Sequence, residues 1–252
     1  MGLNLGEAAR HVALVTIDNQ KKRNAMSRSM MAELAEVWER LSASGDCRCI
    51  IITGAGDRAF CAGADIGGDL SAAEETTRMI DRALLKTRVY SKPIVAAVNG
   101  DCAGGGVELL LSTDIRFAAE HARFGLPEVK WSIYPFGGAT VKLVQQIGYV
   151  HAMDLLLTGR LVTAEFAASI GLINRVLKGG DVMSAAVNTA LEIAANSPSA
   201  VQAVKTQVSA GIADHAAGRE ALEQELGDRV RASLHFSEGI AAFREKRDPK
   251  YD

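Results

Sequence analysis

Two short runs in this chain, Cys49-Ile50-Ile51-Ile52-Thr53 and Pro93-Ile94-Val95-Ala96-Ala97-Val98, are apolar almost without a break. A strand with one wet face alternates apolar and polar residues, whereas strands this apolar are covered on both faces, as in a parallel sheet between helices. Other segments fit that frame. Residues 11–18 read as a strand. Ser27 reads as the N-cap of a helix to about Ala43, with Met30, Leu34, Val37, Trp38 and Leu41 on one face. A helix is predicted over 73–90, a short one over 107–112, and a strand over 115–119. Strands alternating with helices predict an α/β fold.

After Phe136 helical patterns take over, at 137–147, 150–157, 163–170 and 182–195, with one strand at 172–176. Ser197-Pro198 opens a last helical section, Ser197 as cap and Pro198 at the first helical position. A break near residue 196 divides the chain into 1–195 and 196–252. In the second part Leu222, Leu226, Val230 and Leu234 recur every four residues, which predicts a buried helix face.

Composition narrows the function classes. With 252 residues and 48% hydrophobic content the chain can build a sizeable core, and the formal net charge of −2 does not suit a nucleic-acid binder. No apolar run approaches the roughly 20 residues that span a bilayer. The N-terminus shows no secretory pattern, and Gly6 stands where a myristoylation signal needs Ser or Thr, so a cytoplasmic protein is expected. Cys47 and Cys49 are one residue apart, Cys61 and Cys102 stand alone, and the five histidines are scattered. No metal site is expected from that spacing.

Two glycine-rich segments remain. Gly54-Ala55-Gly56-Asp57-Arg58-Ala59 follows a buried strand and has a dinucleotide-type spacing. That use needs a helix to begin inside the motif, and Phe60-Cys61-Ala62-Gly63-Ala64-Asp65 does not read as one. The run Asn99-Gly100-Asp101-Cys102-Ala103-Gly104-Gly105-Gly106-Val107-Glu108 goes from strand through loop into helix. Glycines at a helix start let a ligand approach unpaired backbone N–H groups. A phosphate there would meet the Glu108 carboxylate, so an oxyanion site beside an acid/base residue fits better. The alternative is that the glycines only permit tight helix–strand packing.

These segments resemble the enoyl-CoA hydratase/isomerase (crotonase) family. Ala59-Phe60-Cys61-Ala62-Gly63-Ala64-Asp65-Ile66 is similar to its first oxyanion loop and Asn99 to Glu108 to its second. Phe124-Gly125-Leu126-Pro127-Glu128 resembles the segment with the second catalytic glutamate. Thr158-Gly159-Arg160, Gly171-Leu172-Ile173-Asn174 and the stretch from Glu238 to Arg247 match further stretches in order.

The resemblance implies a spiral (ββα) core at 1–195 and a helical trimerisation region at 196–252, giving a homotrimer or homohexamer. It implies an acyl-CoA substrate and no cofactor, since coenzyme A belongs to the substrate. The oxyanion N–H groups would be those of Ala64 and Gly105, and the catalytic carboxyls Glu108, acting mainly on water, and Glu128, acting mainly at Cα. Ala25, Ala62, Asp65, Ile66, Phe136 and Lys246 would bind substrate. Lys246 stands where the family has a lysine reaching the coenzyme A phosphate, often from a neighbouring subunit. Arg58 and Lys21-Lys22-Arg23 are further cations for that role. Phe136 departs from the Pro-Gly-Ala-Gly-Gly of typical hydratases, beside the expected water, and Gly67 replaces a cation found in some members. The expected activity is hydration of a 2-enoyl-CoA. Isomerisation, another lyase reaction such as carnitinyl-CoA dehydration, and non-catalytic acyl-CoA binding are the alternatives.

Overall fold

Every residue of the strand Cys49–Gly54 is buried, and so is every residue of Ile94–Val98. A computed structural model describes residues 2–65 and 74–252 and shows why. Its strands are β1 (Gly2–Ala9), β2 (Val12–Asp18), β3 (Cys49–Gly54), β4 (Ala59–Cys61), β5 (Ile94–Val98), β6 (Asp101–Ala103), β7 (Ile115–Ala119), β8 (Arg123–Gly125), β9 (Val162–Thr163) and β10 (Arg175–Leu177). Six of them form one sheet in the order β1-β2-β3-β5-β7-β10, parallel except for the β1–β2 hairpin. The others form a smaller sheet, β4-β6-β8-β9, in which only β8–β9 is antiparallel.

The helices are α1 (Arg28–Ala43), α2 (Glu74–Leu84), α3 (Gly105–Leu110), α4 (Ala139–Ile147), α5 (Tyr149–Thr158), α6 (Ala164–Ser169), α7 (Val182–Ala195), α8 (Pro198–Ala217), α9 (Glu220–Arg231) and α10 (Leu234–Glu245). One face of the large sheet meets α7, where Val182, Ala186, Ala190 and Ala194 pack on Ile51, Val95, Ala97 and Phe117. Alanines one turn apart let the helix sit close to the sheet. On the other face Ile50, Ile52, Ala96 and Val98 join α1 and the second sheet in the main core. Burial on both faces accounts for the uninterrupted apolar runs.

Three inner strands of the large sheet are each followed by a short strand of the small one: β3 by β4, β5 by β6, β7 by β8. This turns the chain in a spiral and brings the segments after β4, β6 and β8 to one place. The Gly54–Ala59 motif leads into β4 without a helix.

Some boundaries differ from the sequence reading. The strand β1 and the whole second sheet were not expected; the strands of the second sheet, two or three residues each, are too short to show alternation. Helix α2 ends at Leu84 rather than near Tyr90: Leu85 takes a left-handed φ of 49°, and Asp81 Oδ1 accepts from Thr87 N (2.9 Å) and Oγ1 (2.8 Å), turning the chain away. The strand expected at 172–176 forms at Arg175–Leu177, since Asn174 Oδ1 accepts from Arg116 N (2.8 Å) and holds a turn before it. Ser197 occupies the cap position of α8 without a side-chain hydrogen bond. Within the single chain Leu222, Leu226, Val230 and Leu234 do not form one buried helix face. Leu222 is 46% and Leu234 88% exposed, α9 ends at Arg231, and its buried residues are Glu223 and Gly227. Among the described residues no helix is long and apolar enough to cross a membrane.

Candidate active site

The spiral places the loop after β4 beside the N-terminus of α3. Met26 N donates to Gly63 O (2.8 Å) and Asp65 N to Met26 O (2.9 Å), so residues 63–65 run as a pinned extended segment. Gly63 has φ of 101°, and a Cβ there would lie 3.1 Å from Gly105 N. Only a glycine takes that backbone without strain and leaves the Gly105 N–H uncovered. A Cβ at Gly105 would in turn lie 3.5 Å from Ala64 N. The N–H groups of Ala64 and Gly105 thus stand side by side, and neither has an acceptor among the described residues. Gly106 serves packing instead, since a Cβ there would collide with Cys61 O. Within one glycine run, Gly106 is thus required by packing, while Gly105 leaves its N–H uncovered.

Ala64, Gly105, Glu108 and Glu128 line one cavity of about 450 Å³. Glu108, on α3, is 5% exposed. Its Oε1 accepts from Ala139 N (3.2 Å) at the start of α4, and its Oε2 lies against Gly137, where a Cβ would clash. Burial pushes its carboxyl up to about 7; the Ala139 N–H opposes that rise and Glu223 adds to it. Glu128 lies on the 3₁₀ turn Pro127–Trp131, with Oε1 2.9 Å from where a Cβ on Gly104 would sit. Its Oε2 is enclosed and has no hydrogen-bond partner among the described residues. Burial, and secondarily the charge of Glu108, pushes it up to about 8. The two carboxyls interact, so their titration belongs to the pair.

The remaining wall is largely apolar, with Met26, Met31, Ile80, Leu84 and Ile133 among its residues. Ala25 and Ala62 line it beside Gly63 and Ala64. Asp65 lines it too, with its carboxylate 2.6 Å from Lys22 Nζ, so Lys22 brings a cation to the same wall. Phe136 also lines the cavity, but its ring is turned onto α9, where a Cβ on Gly227 would land on it. The Arg231 guanidinium stacks on that ring at 4.6 Å and the Tyr134 ring lies 5.3 Å away. Lys246 is not among the lining residues; it is exposed, in a left-handed conformation at the end of α10. Arg58 is exposed, and Arg23 lies 3.5 Å from Asp101. Ile66 and Gly67 lie outside the described residues. Among the described residues no cluster of three His, Cys, Asp or Glu is placed to hold a metal, and all four cysteines are buried and unpaired.

The sequence reading missed Arg231, Phe236 and Phe243, which come from the C-terminal helices and close the cavity. It also missed Ala139, whose backbone holds Glu108. No local pattern marks them, because each acts through a contact distant in sequence.

Two adjacent backbone donors facing two protonatable carboxyls in an apolar cavity can bind a carbonyl oxygen and move protons beside it. The family model for enoyl-CoA hydratase/isomerase matches residues 7–252. The chain belongs to the enoyl-CoA hydratase/isomerase family. Its similar proteins include enoyl-CoA hydratase EchA19 of Mycobacterium tuberculosis, 41% identical over 98% of this chain and 95% of the relative. Another is the mevalonyl-coenzyme A hydratase sidH of Aspergillus fumigatus, 36% identical over 96% and 91%. Among solved structures, a carnitinyl-CoA hydratase from Mycobacterium avium is 35% identical and superposes with a TM-score of 0.87, covering 100% of this chain and 98% of that one. The crotonase fold thus extends over the whole chain, C-terminal helices included.

Proposed function

We propose that this protein adds water across the 2,3 double bond of a 2-enoyl-CoA thioester. The observation that carries the reading is one cavity holding both the Ala64 and Gly105 N–H groups and two raised carboxyls, Glu108 and Glu128. The thioester oxygen accepts from the two N–H groups. With one proton shared by the pair, the Glu108 carboxylate takes a proton from water as the water oxygen bonds to Cβ, and the Glu128 carboxyl delivers its proton to Cα. Between these events negative charge collects on the thioester oxygen, where a preorganised donor contributes about 2.7–4 kcal/mol. The proton taken from water replaces the one delivered, and the pair ends with one proton as it began. This chemistry draws on no metal or redox group.

Lys22, and Lys246 from a neighbouring subunit, are the proposed contacts for coenzyme A phosphates, in a cytoplasmic homotrimer or pair of trimers. Exposed Val204 and Val208, one turn apart on α8 and each 66% accessible, together with Leu222 and Leu234 support such an assembly. Light scattering of the purified protein tests it, and a stable monomer at micromolar concentration overturns it.

The relatives named for mevalonyl-CoA and carnitinyl-CoA hydration widen the acyl groups to be tried to branched and polar ones. A second reading, Δ3–Δ2 isomerisation, follows from Phe136, a cavity residue with its ring turned onto α9 where typical hydratases have glycine. A panel of 2-enoyl-CoA and 3-enoyl-CoA thioesters, with product analysis in wild type, Glu108→Gln, Glu128→Gln and Phe136→Gly, separates the two. Hydration lost in each glutamine variant supports the first reading. Isomerisation that survives Glu108→Gln but not Glu128→Gln, without hydration, replaces it with the second. Binding of thioesters without turnover of any kind leaves acyl-CoA binding as the function.

A further inference from the structure

Behind Glu108 lies a second charged pair that the hydration scheme does not use. Lys86, in the turn after α2, and Glu223, on α9, are 3% and 4% exposed and joined by an ion pair. Glu223 Oε1 also accepts from Thr140 Oγ1 (3.2 Å). Thr140 follows Ala139, the residue whose N–H donates to Glu108 Oε1. On the other side, a Cβ at Gly138 would lie 3.1 Å from the Lys86 side-chain stem. Residues 138–140 are therefore gripped from both sides by this pair.

A buried ion pair is a poor way to gain stability, since an apolar pair of similar volume usually does as well or better. Its retention beside a buried carboxyl needs another reason. We propose that Glu223, together with Lys86, is a positioning residue for Glu108, fixing the start of α4 so that the Ala139 N–H holds the carboxyl in place. The kinetic part of this proposal rests on the hydratase reading; the structural part does not.

Glu108 is faced by Glu128 from the 3₁₀ turn, Glu223 from α9, Lys86 after α2, Lys142 on α4 and Tyr134. Of these, Glu223 opposes ionisation of Glu108 and Lys86 favours it. Glutamine at 223 keeps an acceptor for Thr140 and Lys86 but removes the charge. The pair Lys86→Met with Glu223→Leu removes both charges, the ion pair and the Thr140 contact while filling the space, which guards against a variant that merely unfolds.

The experiment uses the full chain labelled with ¹³C at glutamate carboxyls and ¹⁵N at amides, with the Glu108 signal assigned by its loss in Glu108→Gln. In wild type the Ala139 amide signal follows the titration of Glu108. In Glu223→Gln the Glu108 midpoint falls by on the order of half a pH unit, because a like charge is gone. In the folded double variant the Ala139 amide no longer follows Glu108. Turnover of 2-enoyl-CoA there falls on the order of tenfold to a hundredfold, with KM within about threefold. An unmoved or raised midpoint in Glu223→Gln, or an Ala139 amide that still tracks Glu108 in the double variant, overturns the proposal. Wild-type turnover in the double variant overturns it as well. A wild type that hydrates nothing refutes the hydratase reading alone, and the two resonance measurements then decide the positioning role by themselves.

Discussion

The ring of Phe136 fills the space that a Cβ on Gly227 would need, so these two positions are fitted to one another. In an ordinary helix interior Gly→Ala is stabilising by about 1 kcal/mol. At Gly227 the overpacking cost, about 1–3 kcal/mol, opposes and exceeds that gain. Gly227→Ala is expected to lower stability in urea unfolding, and Phe136→Leu to offset most of the loss. A double-mutant cycle with no coupling would show that the ring moves aside freely.

The raised carboxyls are expected to set the pH dependence of turnover. Hydration as proposed needs one proton on the Glu108–Glu128 pair. Full protonation below about 7 removes the base, and full ionisation above about 8 removes the acid. The turnover number is expected to follow a bell with its maximum between those values. Each Glu→Gln change should lower that maximum by about 10²–10⁴-fold, and the two losses should not multiply, because the carboxyls act as a unit. A profile flat from pH 5 to 9 would remove the pair from the rate-determining chemistry.

The same shift has a stability consequence of opposite benefit. A carboxyl held above its ordinary value of 4.5 favours the folded state while protonated, and this contribution is lost as the pH rises through its folded value. For Glu128 the loss runs up through about 8. Glu128→Gln has no charge to bury. Its melting temperature should match wild type near pH 4 and exceed it increasingly towards pH 9. Scanning calorimetry across that range checks the trend, and a constant difference would mean that Glu128 ionises without penalty.

The proposed oxyanion donors are tested through the backbone. Ala64→Pro deletes one N–H, and Gly63→Ala sets a methyl 3.1 Å from Gly105 N on a backbone with φ of 101°. Each is expected to cost turnover on the order of 10²-fold or more in a protein that still folds by circular dichroism. Unchanged turnover in a folded Ala64→Pro variant would exclude that N–H from catalysis.

Helix α1 was legible in full: Ser27 Oγ accepts from Met30 N, and Met30, Leu34, Val37, Trp38 and Leu41 are buried as their spacing predicts. Strand β7 and helix α7 were equally clear. The small sheet was not, since strands such as Asp101–Ala103 are too short to carry a pattern, yet it leads into the segments that carry Ala64, Gly105 and Glu128. The Leu222–Leu234 spacing does not lie on one helix, because a break at residues 232–233 sets Leu234 at the start of α10.

By itself the sequence determined the two-faced burial of β3 and β5 and the glycine-rich loop that leads to Glu108, because each is written in neighbouring residues, whereas Glu128 was picked out only by resemblance to the family. Only the tertiary structure decided what surrounds those carboxyls. The Ala139 N–H that holds Glu108 is 31 residues from it, and Lys86 meets Glu223 across 137. Phe136 finds its slot on a helix from the other end of the chain. Such contacts arise from how a spiral core and its C-terminal helices pack, and packing against distant neighbours leaves no local periodicity to read.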